Sequence, residues 1–341
     1  MILVTGGAGY IGSHTCVELL DAGFEVMVAD DLSNTSVKVI DKIKEITGKN
    51  LKFVEIDLCC RDETEKLFWE HPEIDAVIHF AGFKAVNESV QNPLKYYTNN
   101  LGSTISILNA MKKYNVKKIV FSSSASVYGE PERVPIKEDS PLNTKNPDGS
   151  TKLAIEKLLQ EIGASDPEFK AVLLRYFNPI GAHNSGLIGE DPRGEPNNLA
   201  PYIAQVAIGK RDHVRVLGND YDTPDGTGIR DYIHVVDLAK GHLLALHKLE
   251  DKKPLGSDGC HIYNLGTGKG HSVFEIINAF EKANGLKIPC KIYPRRLGDV
   301  PRLFADPTKA KEELGWEAIH NISEMCADLW RWQKNNPGGY E

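Results

Sequence analysis

The sequence lacks the features of disulfide-rich, metal-binding and membrane-spanning proteins. Its 341 residues contain six cysteines, none of them in a C-x-x-C pair, so we expect reduced cysteines and no metal site. No apolar run approaches the ~18 residues of a membrane span. Met1 leads into a short apolar run without a basic segment or a cleavage site. We therefore predict no signal peptide and expect a cytoplasmic protein.

An excess of positive charge is also lacking. Lys and Arg total 40 against 47 Asp and Glu, which gives a net charge of -7. This balance argues against nucleic acid or an anionic membrane as a partner. Hydrophobic residues make up 41% and charged residues 26% of the chain, as in ordinary globular proteins. The length predicts about two domains and a core that needs no cross-links.

Short apolar runs alternate with helical stretches in the first half of the chain. Helices are predicted over residues 11–22, up to about 46, and over 94–114 and 151–162. Strands are predicted over residues 2–5, 26–29, 51–56, 76–80, 118–121 and 171–174. Such runs form parallel sheets that are covered on both faces, joined by right-handed crossovers. We therefore predict an α/β fold with a doubly wound parallel sheet of the Rossmann type.

The texture of the sequence changes after about Tyr176, where Gly, Pro and Asn become frequent. We predict a first domain over residues 1–178 and a smaller mixed α/β domain over residues 179–341. The stretch from Asp231 to Leu249 has helical spacing, and the segment 231–264 could pack back on the first domain.

A glycine-rich loop follows the first predicted strand. Thr5-Gly6-Gly7-Ala8-Gly9-Tyr10-Ile11-Gly12 satisfies both G-x-x-G-x-x-G and G-x-G-x-x-G. Glycines permit a tight turn and a close approach to a pyrophosphate, and the next helix offers free N–H groups. The second strand ends at Asp30, whose carboxylate can bind ribose hydroxyls, and no Arg follows it. The pattern predicts an NAD site, with a purely structural glycine turn as the alternative.

Other polar or small residues follow further predicted strands. They are Asp57-Leu58, Phe80-Ala81-Gly82 and Ser122-Ser123-Ser124. Ligands of open α/β sheets collect at the carboxyl ends of strands. A helix N-cap explains Asp57 almost as well, and a serine cluster is usually a turn. At the end of a central strand, however, such a cluster can hold a hydroxyl over a nicotinamide.

Together these motifs resemble the extended short-chain dehydrogenase/reductase superfamily and, within it, the UDP-glucose 4-epimerase family. The resemblance runs nearly end to end. Further matching stretches are His79 to Val86, Arg175 to Pro179, Pro196 to Leu199, Gly228 to His234 and Arg295 to Asp299. It implies a tightly held NAD that is reduced and reoxidised in each turnover. Meanwhile a 4-keto sugar rotates and takes the hydride back on its other face.

The resemblance also implies ligands and a partner. UDP-glucose and UDP-galactose are the implied substrates, and a homodimer through two long helices of each subunit is implied, with residues 94–114 and 151–162 as candidates. The cofactor-binding positions it implies are Gly6, Gly9, Tyr10, Ile11, Gly12, Asp30, Asn34, Asp57, Leu58, Phe80, Ala81, Gly82, Lys84, Asn99, Ser122, Lys152, Tyr176 and Phe177.

A substrate site is implied in the same way. Its positions are Lys84, Ser124, Asn178, Asn198, Leu199, Leu217, Arg230, Arg296, Asp299 and Leu303. The arginines suit bidentate contacts with a diphosphate, and Asp299 matches a position that holds ribose hydroxyls. Leu217 would give the uracil an apolar contact. Leu303 matches the pocket wall whose size influences acceptance of N-acetylated sugars, so UDP-N-acetylhexosamines stay open as substrates.

The chain departs from this family at the catalytic base. The family has Tyr-x-x-x-Lys, whereas here Asp148 precedes Lys152 by four residues. A carboxylate is roughly 3 Å nearer its backbone than a phenol oxygen, and a misplacement of about 1 Å can cost a hundredfold in rate. Its reference pKa of about 3.9, against about 10 for Tyr, makes it a weaker base, and we expect Lys152 to hold it ionised.

We therefore predict that Asp148, Lys152 and Ser124 form the catalytic group. We expect the protein to bind its ligands but to epimerise them poorly, since a lost general base costs about 10²–10⁴-fold in rate. For Asp148 alone, a Pro-Asp-Gly turn or a helix cap is the alternative. Tyr128 could replace the base, although its place beside a glycine turn favours packing.

Two other functions stay open. A nucleotide-sugar dehydratase or decarboxylase is a second enzyme class, but dehydratases of this group carry an acidic pair where this chain has Ala125-Ser126. A non-catalytic nucleotide-sugar binder would hold UDP and NAD tightly. It would not turn over even with Tyr at position 148.

Overall fold

The computed structural model describes residues 1–251, 259–296 and 298–340. Its main element is a seven-stranded sheet in the order β10-β6-β5-β4-β1-β2-β3, in which all neighbouring strands run parallel. This arrangement confirms the predicted doubly wound fold. The strands are β1 (Ile2–Thr5), β2 (Val26–Asp30), β3 (Lys52–Glu55), β4 (Ala76–His79), β5 (Lys118–Ser124), β6 (Lys170–Tyr176) and β10 (Cys260–Leu265).

Helices cover both faces of this large sheet, because successive strand residues point to opposite faces. In β1, Ile2 and Val4 enter one apolar cluster and Leu3 enters the other. All three are buried. The covering helices are α1 (Tyr10–Asp21), α2 (Lys38–Thr47), α3 (Arg61–Glu70), α4 (Val86–Gln91), α5 (Pro93–Lys113), α6 (Pro147–Ser165) and α8 (Val235–Lys248).

Two smaller sheets follow along the chain. In one, β9 pairs with β11, β13 and β7, and in the other β12 pairs with β8. Their strands are β7 (Asn178–Ile180), β8 (Val214–Leu217), β9 (Ile229–His234), β11 (Gly270–Ser272), β12 (Cys290–Tyr293) and β13 (Arg302–Leu303). They accompany the helices α7 (Leu199–Ala207), α9 (Val273–Asn284) and α11 (Ile322–Asn335), whereas α10 (Thr308–Leu314) packs on β10 and α8. The chain changes sheet between β6 and β7, next to the predicted boundary, and returns to the large sheet at β10.

Some predicted elements have different bounds in the structure. Residues 231–234 belong to β9 rather than to a helix, because they pair with neighbouring strands of the small sheet; the helix α8 begins only at Val235. Helix α6 begins at Pro147, four residues earlier than predicted. The side chain of Asn146 accepts a hydrogen bond from Gly149 N at 2.9 Å and caps that start.

Within the described ranges, none of the helices combines the length and the apolar character needed to cross a membrane.

Candidate active site

The glycine loop closes tightly between β1 and α1. Gly6 has a φ of +67°, which favours glycine, and a Cβ there would lie 2.8 Å from Ala81 N. A Cβ on Gly12 would lie 2.4 Å from the Gly6 oxygen. Gly9 precedes α1 without a side-chain cap, so the first N–H groups of the helix are free for an anion. The loop is therefore a cradle that fits the pyrophosphate of a dinucleotide.

Asp30 stands beside this cradle at the end of β2. Its carboxylate accepts hydrogen bonds from Ala8 N and Leu32 N, both at 3.0 Å. Burial raises the pKa of Asp30, and these two hydrogen bonds oppose that rise. Each oxygen keeps a lone pair for a further donor, so the side chain can still accept from ribose hydroxyls, and its role at the adenosine ribose of NAD stays a prediction.

The other proposed cofactor positions also gather along the carboxyl edge of the large sheet. The Asp57 side chain accepts from Cys59 N at 2.9 Å and does not cap α3, whose N-cap is Cys60; the capping alternative is therefore wrong. Asn99 on α5 approaches Cys59 Sγ at 3.8 Å. The remaining positions lie in the loops after β2 and β4, on β5 and α6, at the end of β6 and directly after it: Asn34, Phe80, Ala81, Gly82, Lys84, Ser122, Lys152, Tyr176 and Phe177.

Lys152 connects α6 to the end of β5, where residues 122–124 form a serine strip. Its Nζ donates a hydrogen bond to the backbone carbonyl oxygen of Ser122 at 3.3 Å and lies 5.1 Å from the centre of the Phe121 ring. The hydroxyl of Ser124 accepts from Ser126 N at 3.1 Å, and Ser124 pairs with Tyr176 on β6. The structure thus places the buried ammonium of Lys152 on the backbone of β5, two residues before Ser124, at the carboxyl edge of the sheet.

Asp148 lies in the first turn of α6, four residues before Lys152 and on the same helix face. It is neither a turn residue nor the helix cap, because Asn146 caps α6. Its side chain is buried, and Oδ1 has no hydrogen-bond partner among the described residues. Burial raises the pKa of Asp148, and the nearby Lys152 and Lys84 only oppose that rise. We expected Lys152 to hold Asp148 ionised; its charge does lower the pKa of Asp148, but burial raises that pKa by more.

Because the carboxyl of Asp148 is buried, we expect it to lower the free energy of unfolding by an amount that depends on pH. Its pKa is higher in the folded chain, so its stabilising contribution is full below the unfolded pKa of about 3.9 and is lost as the pH rises through the folded pKa. We expect Asp148→Asn to raise the free energy of unfolding near neutral pH by about 1–3 kcal/mol, because a neutral amide in the same place avoids the desolvation penalty of a buried carboxylate.

Urea unfolding of both chains without ligands at several pH values between about 4 and 7 measures this difference. The gap should widen toward neutral pH. A gap that is constant or that narrows as the pH rises would contradict the proposed titration of Asp148.

Tyr128 has a structural role. Its side chain is buried, and its hydroxyl donates to Asn264 Oδ1 at 2.7 Å and accepts from Arg175 at 3.0 Å. Burial raises the pKa of Tyr128 to about 12. These contacts confirm the packing interpretation and argue against Tyr128 as a substitute base.

Apart from Lys84 and Ser124 at the edge of the large sheet, the proposed substrate residues lie on the small-sheet side of the site. Arg230 on β9 donates to Asp299 Oδ1, and Arg296 approaches the same oxygen at 3.4 Å. Leu303 on β13 pairs with Arg230, so the proposed pocket wall lies beside a proposed diphosphate ligand. Of the other proposed positions, Leu217 ends β8, Asn178 begins β7, and Asn198 and Leu199 lie at the start of α7.

Sequence reasoning missed Glu190, a buried residue that connects the two sides. Its Oε1 lies 3.4 Å from Lys84 Nζ and accepts a hydrogen bond from Asn198 at 3.3 Å. The two partners come from the predicted cofactor and substrate groups. Glu190 lies in a loop without periodicity, so no local pattern could have identified it.

Comparisons with known proteins agree with this geometry. The model of a family described as "NAD dependent epimerase/dehydratase family" matches residues 2–266. A Bacillus subtilis protein named UDP-glucose 4-epimerase is 60% identical over 340 residues, covering 100% of this chain and 98% of that protein. A solved UDP-glucose 4-epimerase from Bifidobacterium longum, in complex with NAD+ and UDP, has a TM-score of 0.95 and 52% identity. The match covers 99% of both chains.

A second solved structure is also similar to this chain. The UDP-Glc/GlcNAc 4-epimerase of Campylobacter jejuni has a TM-score of 0.83 and 38% identity. The match covers 98% of this chain and 99% of that one.

Proposed function

We propose, since this chain belongs to the NAD dependent epimerase/dehydratase family, that it is an NAD-dependent UDP-glucose 4-epimerase whose turnover is severely slowed by Asp148. The full-length match at 60% identity to a protein of that name carries the proposal. The glycine cradle and the neighbouring Asp30 supply the geometry for NAD. We propose interconversion of UDP-glucose and UDP-galactose as the reaction.

The cofactor would be held by the glycine cradle, by Asp30 and by the two lysines at the edge of the sheet. When bound, NAD supplies the acceptor and donor of the hydride at the sugar C4. Lys84 would offer a positive charge to its phosphates, and Lys152 would contact the nicotinamide ribose. The buried Lys152 and the hydroxyl of Ser124 would orient the sugar 4-hydroxyl.

Arg230 and Arg296 would bind the diphosphate of the substrate. Both guanidinium groups contact Asp299, which fixes their positions. A diphosphate offers more acceptor oxygens and charge than one carboxylate does, so it can recruit both arginines in bidentate contacts. Asp299 would then be available to the uridine ribose.

Asp148 limits the proposed reaction for two reasons. Its carboxylate is buried and short, so it reaches the sugar 4-hydroxyl poorly, and even with a raised pKa it is a far weaker base than a tyrosinate. Ser124 can relay a proton only if a base accepts it. We therefore propose slow turnover with ligand binding preserved.

The test begins with NAD content. Purified protein should release NAD on denaturation, and a coupled assay with UDP-galactose should detect slow formation of UDP-glucose. Protein that holds no dinucleotide and takes none up would overturn the proposal.

The unpartnered Asp148 Oδ1 favours one second candidate, a non-catalytic nucleotide-sugar binder. Such a protein would bind both ligands and remain inactive with Tyr at position 148.

UDP-N-acetylhexosamines are a further proposed substrate class. Leu303 is only partly buried beside Arg230, and it is smaller than an aromatic wall residue. The size of one side chain shifts such preferences by about 1–3 kcal/mol. The ratio of kcat/KM for UDP-N-acetylglucosamine and UDP-glucose measures the preference.

We also propose a homodimer formed through α5 and α6. Helix α5 exposes Leu94, Tyr97 and Ile105, and Ile105 borders a groove that continues to Leu158 and Ile162 on α6. A second copy of the chain would bury this apolar face.

The dimer predicts a change in mass when this face is charged. Ile105→Glu places a charge in the apolar contact and should shift the protein from dimer to monomer in light scattering, because a buried unpaired charge is costly. Ile319→Glu is a matched control, since Ile319 is also exposed but lies outside both helices. Equal masses for the two variants would argue against this interface.

We propose the cytoplasm as the compartment, because the state of the cysteines supports it. All six cysteines are free thiols, as is usual in a reducing compartment.

A further inference from the structure

A segment of the loop after β7 is anchored to the C-terminal part of the chain. Tyr340 OH accepts a hydrogen bond from Gly189 N at 3.0 Å, and Tyr340 N donates to Asp191 Oδ2 at 2.9 Å. Trp332 on α11 donates to the Glu190 oxygen at 3.3 Å. We call residues 189–193 the bridge segment. These contacts give it a fixed base on the small-sheet side.

Arg193, at the end of the bridge segment, reaches across to the loop that follows β2. Its guanidinium donates to the Ser33 oxygen at 3.0 Å and to the Thr35 oxygen. These partners lie 160 and 158 residues away in the sequence. Both acceptors are backbone carbonyls, so the contact fixes the path of the loop itself.

The loop that Arg193 holds is part of the dinucleotide cradle. Thr35 Oγ1 donates to the Ala8 oxygen at 2.7 Å, and Ala8 N donates in turn to Asp30 at 3.0 Å. The contacts therefore run from Arg193 through Thr35 to the glycine loop and to the carboxylate that would hold the adenosine ribose. Movement of Arg193 away from this loop would loosen that side of the cradle.

A second contact ties the cradle to the same side of the molecule. Tyr10 in the glycine loop donates from its hydroxyl to the Gly181 oxygen at 2.6 Å, and Tyr10 is only partly buried. The cradle is thus connected to the chain after β6 at two points. Tyr10 makes one contact from the glycine loop, and Arg193 makes the other with the loop after β2.

We propose that Arg193 is a positioning residue for the dinucleotide, which closes the adenosine side of the cradle and slows release of the bound cofactor. This proposal deepens the proposed function and rests on it, because it requires NAD as the resident ligand. Release would need the Arg193 contacts to open first. Two charge-assisted hydrogen bonds to one loop would otherwise keep it closed.

Exchange of bound NAD for added 1,N6-etheno-NAD measures release from the holoenzyme. We expect Arg193→Gln to exchange about tenfold faster than the parent, since each lost hydrogen bond to a charged donor is worth more than a neutral one. Arg193→Lys should be intermediate, because an ammonium lacks the planar fork that reaches two carbonyls.

Arg331→Gln is the matched control. Arg331 is also an exposed arginine that donates to a backbone oxygen, that of Asn184 at 3.0 Å, but it makes no contact with the cradle. Its exchange rate should stay within about twofold of the parent. Unfolding temperatures of the ligand-free proteins show whether a variant is merely less stable.

The outcomes separate this proposal from the proposed function. If the parent holds NAD and Arg193→Gln exchanges it no faster than Arg331→Gln does, the positioning role is wrong and the proposed function stands. Faster exchange that only follows a fall in unfolding temperature common to both variants also overturns it. A parent chain that neither holds nor takes up NAD overturns both proposals.

Discussion

Asp148→Tyr should raise kcat for the interconversion of UDP-glucose and UDP-galactose by about 10²–10⁴-fold, the usual contribution of a positioned general base. The new phenol would start from the first turn of α6, on the helix face that carries Lys152. Lys152 Nζ lies at the carboxyl end of β5, where its charge would lower the pKa of the phenol. Initial rates with saturating NAD and UDP-galactose measure the gain.

Two controls separate the base from the space that it fills. Asp148→Phe supplies the ring without the hydroxyl, and Asp148→Asn removes the charge without adding reach. Neither should approach the rate of the tyrosine variant. A gain below about tenfold for Asp148→Tyr, in protein that holds NAD, would mean that proton transfer is not the limiting defect. No gain at all would favour the non-catalytic binder.

The large sheet and the cofactor cradle could be predicted because their signals are local. Each strand and helix of a parallel sheet has its own apolar periodicity, and the glycine loop from Gly6 to Gly12 lies within a few residues of chain. The position of Asp30 follows from the end of the next strand. These features needed no knowledge of long-range contacts.

The residues that join the two sides of the site gave no such signal. Glu190 meets Lys84 across 106 residues, and Arg193 meets Ser33 across 160. Both lie in a loop rich in Gly and Pro. Such a loop has no hydrophobic periodicity from which the contacts of a side chain could be predicted. From the sequence we saw only that no Arg follows Asp30, whereas the fold brings Arg193 to the loop beside it.

At two places tertiary structure decided what the sequence could not. The sequence over residues 231–234 fits the helical spacing of the stretch that follows, but pairing with β7 and β11 selected the strand. The charge of Lys152 could be read from the sequence, but the burial that raises the pKa of Asp148 could not.

Behind the serine strip, a buried ion pair holds α6 against the large sheet. Arg175 on β6 forms hydrogen bonds to Glu156 on α6 at 2.6–3.2 Å, and both side chains are 1–2% exposed. Ser123 on β5 also donates to Glu156. Glu156 follows Lys152 by four residues, so this pair fixes the helix face that carries Asp148 and Lys152.

Arg175→Met should lower the free energy of unfolding by about 3–5 kcal/mol, because it leaves the Glu156 carboxylate buried without its counter-charge. Adding Glu156→Gln should recover part of this loss, since the remaining amide is neutral and can still accept from Ser123. Urea unfolding of both variants and the parent, without added ligand, measures the coupling between the two sites. A single variant that loses less than about 1 kcal/mol, or a double variant that is no more stable than the single one, would show that this pair does not hold α6 in place.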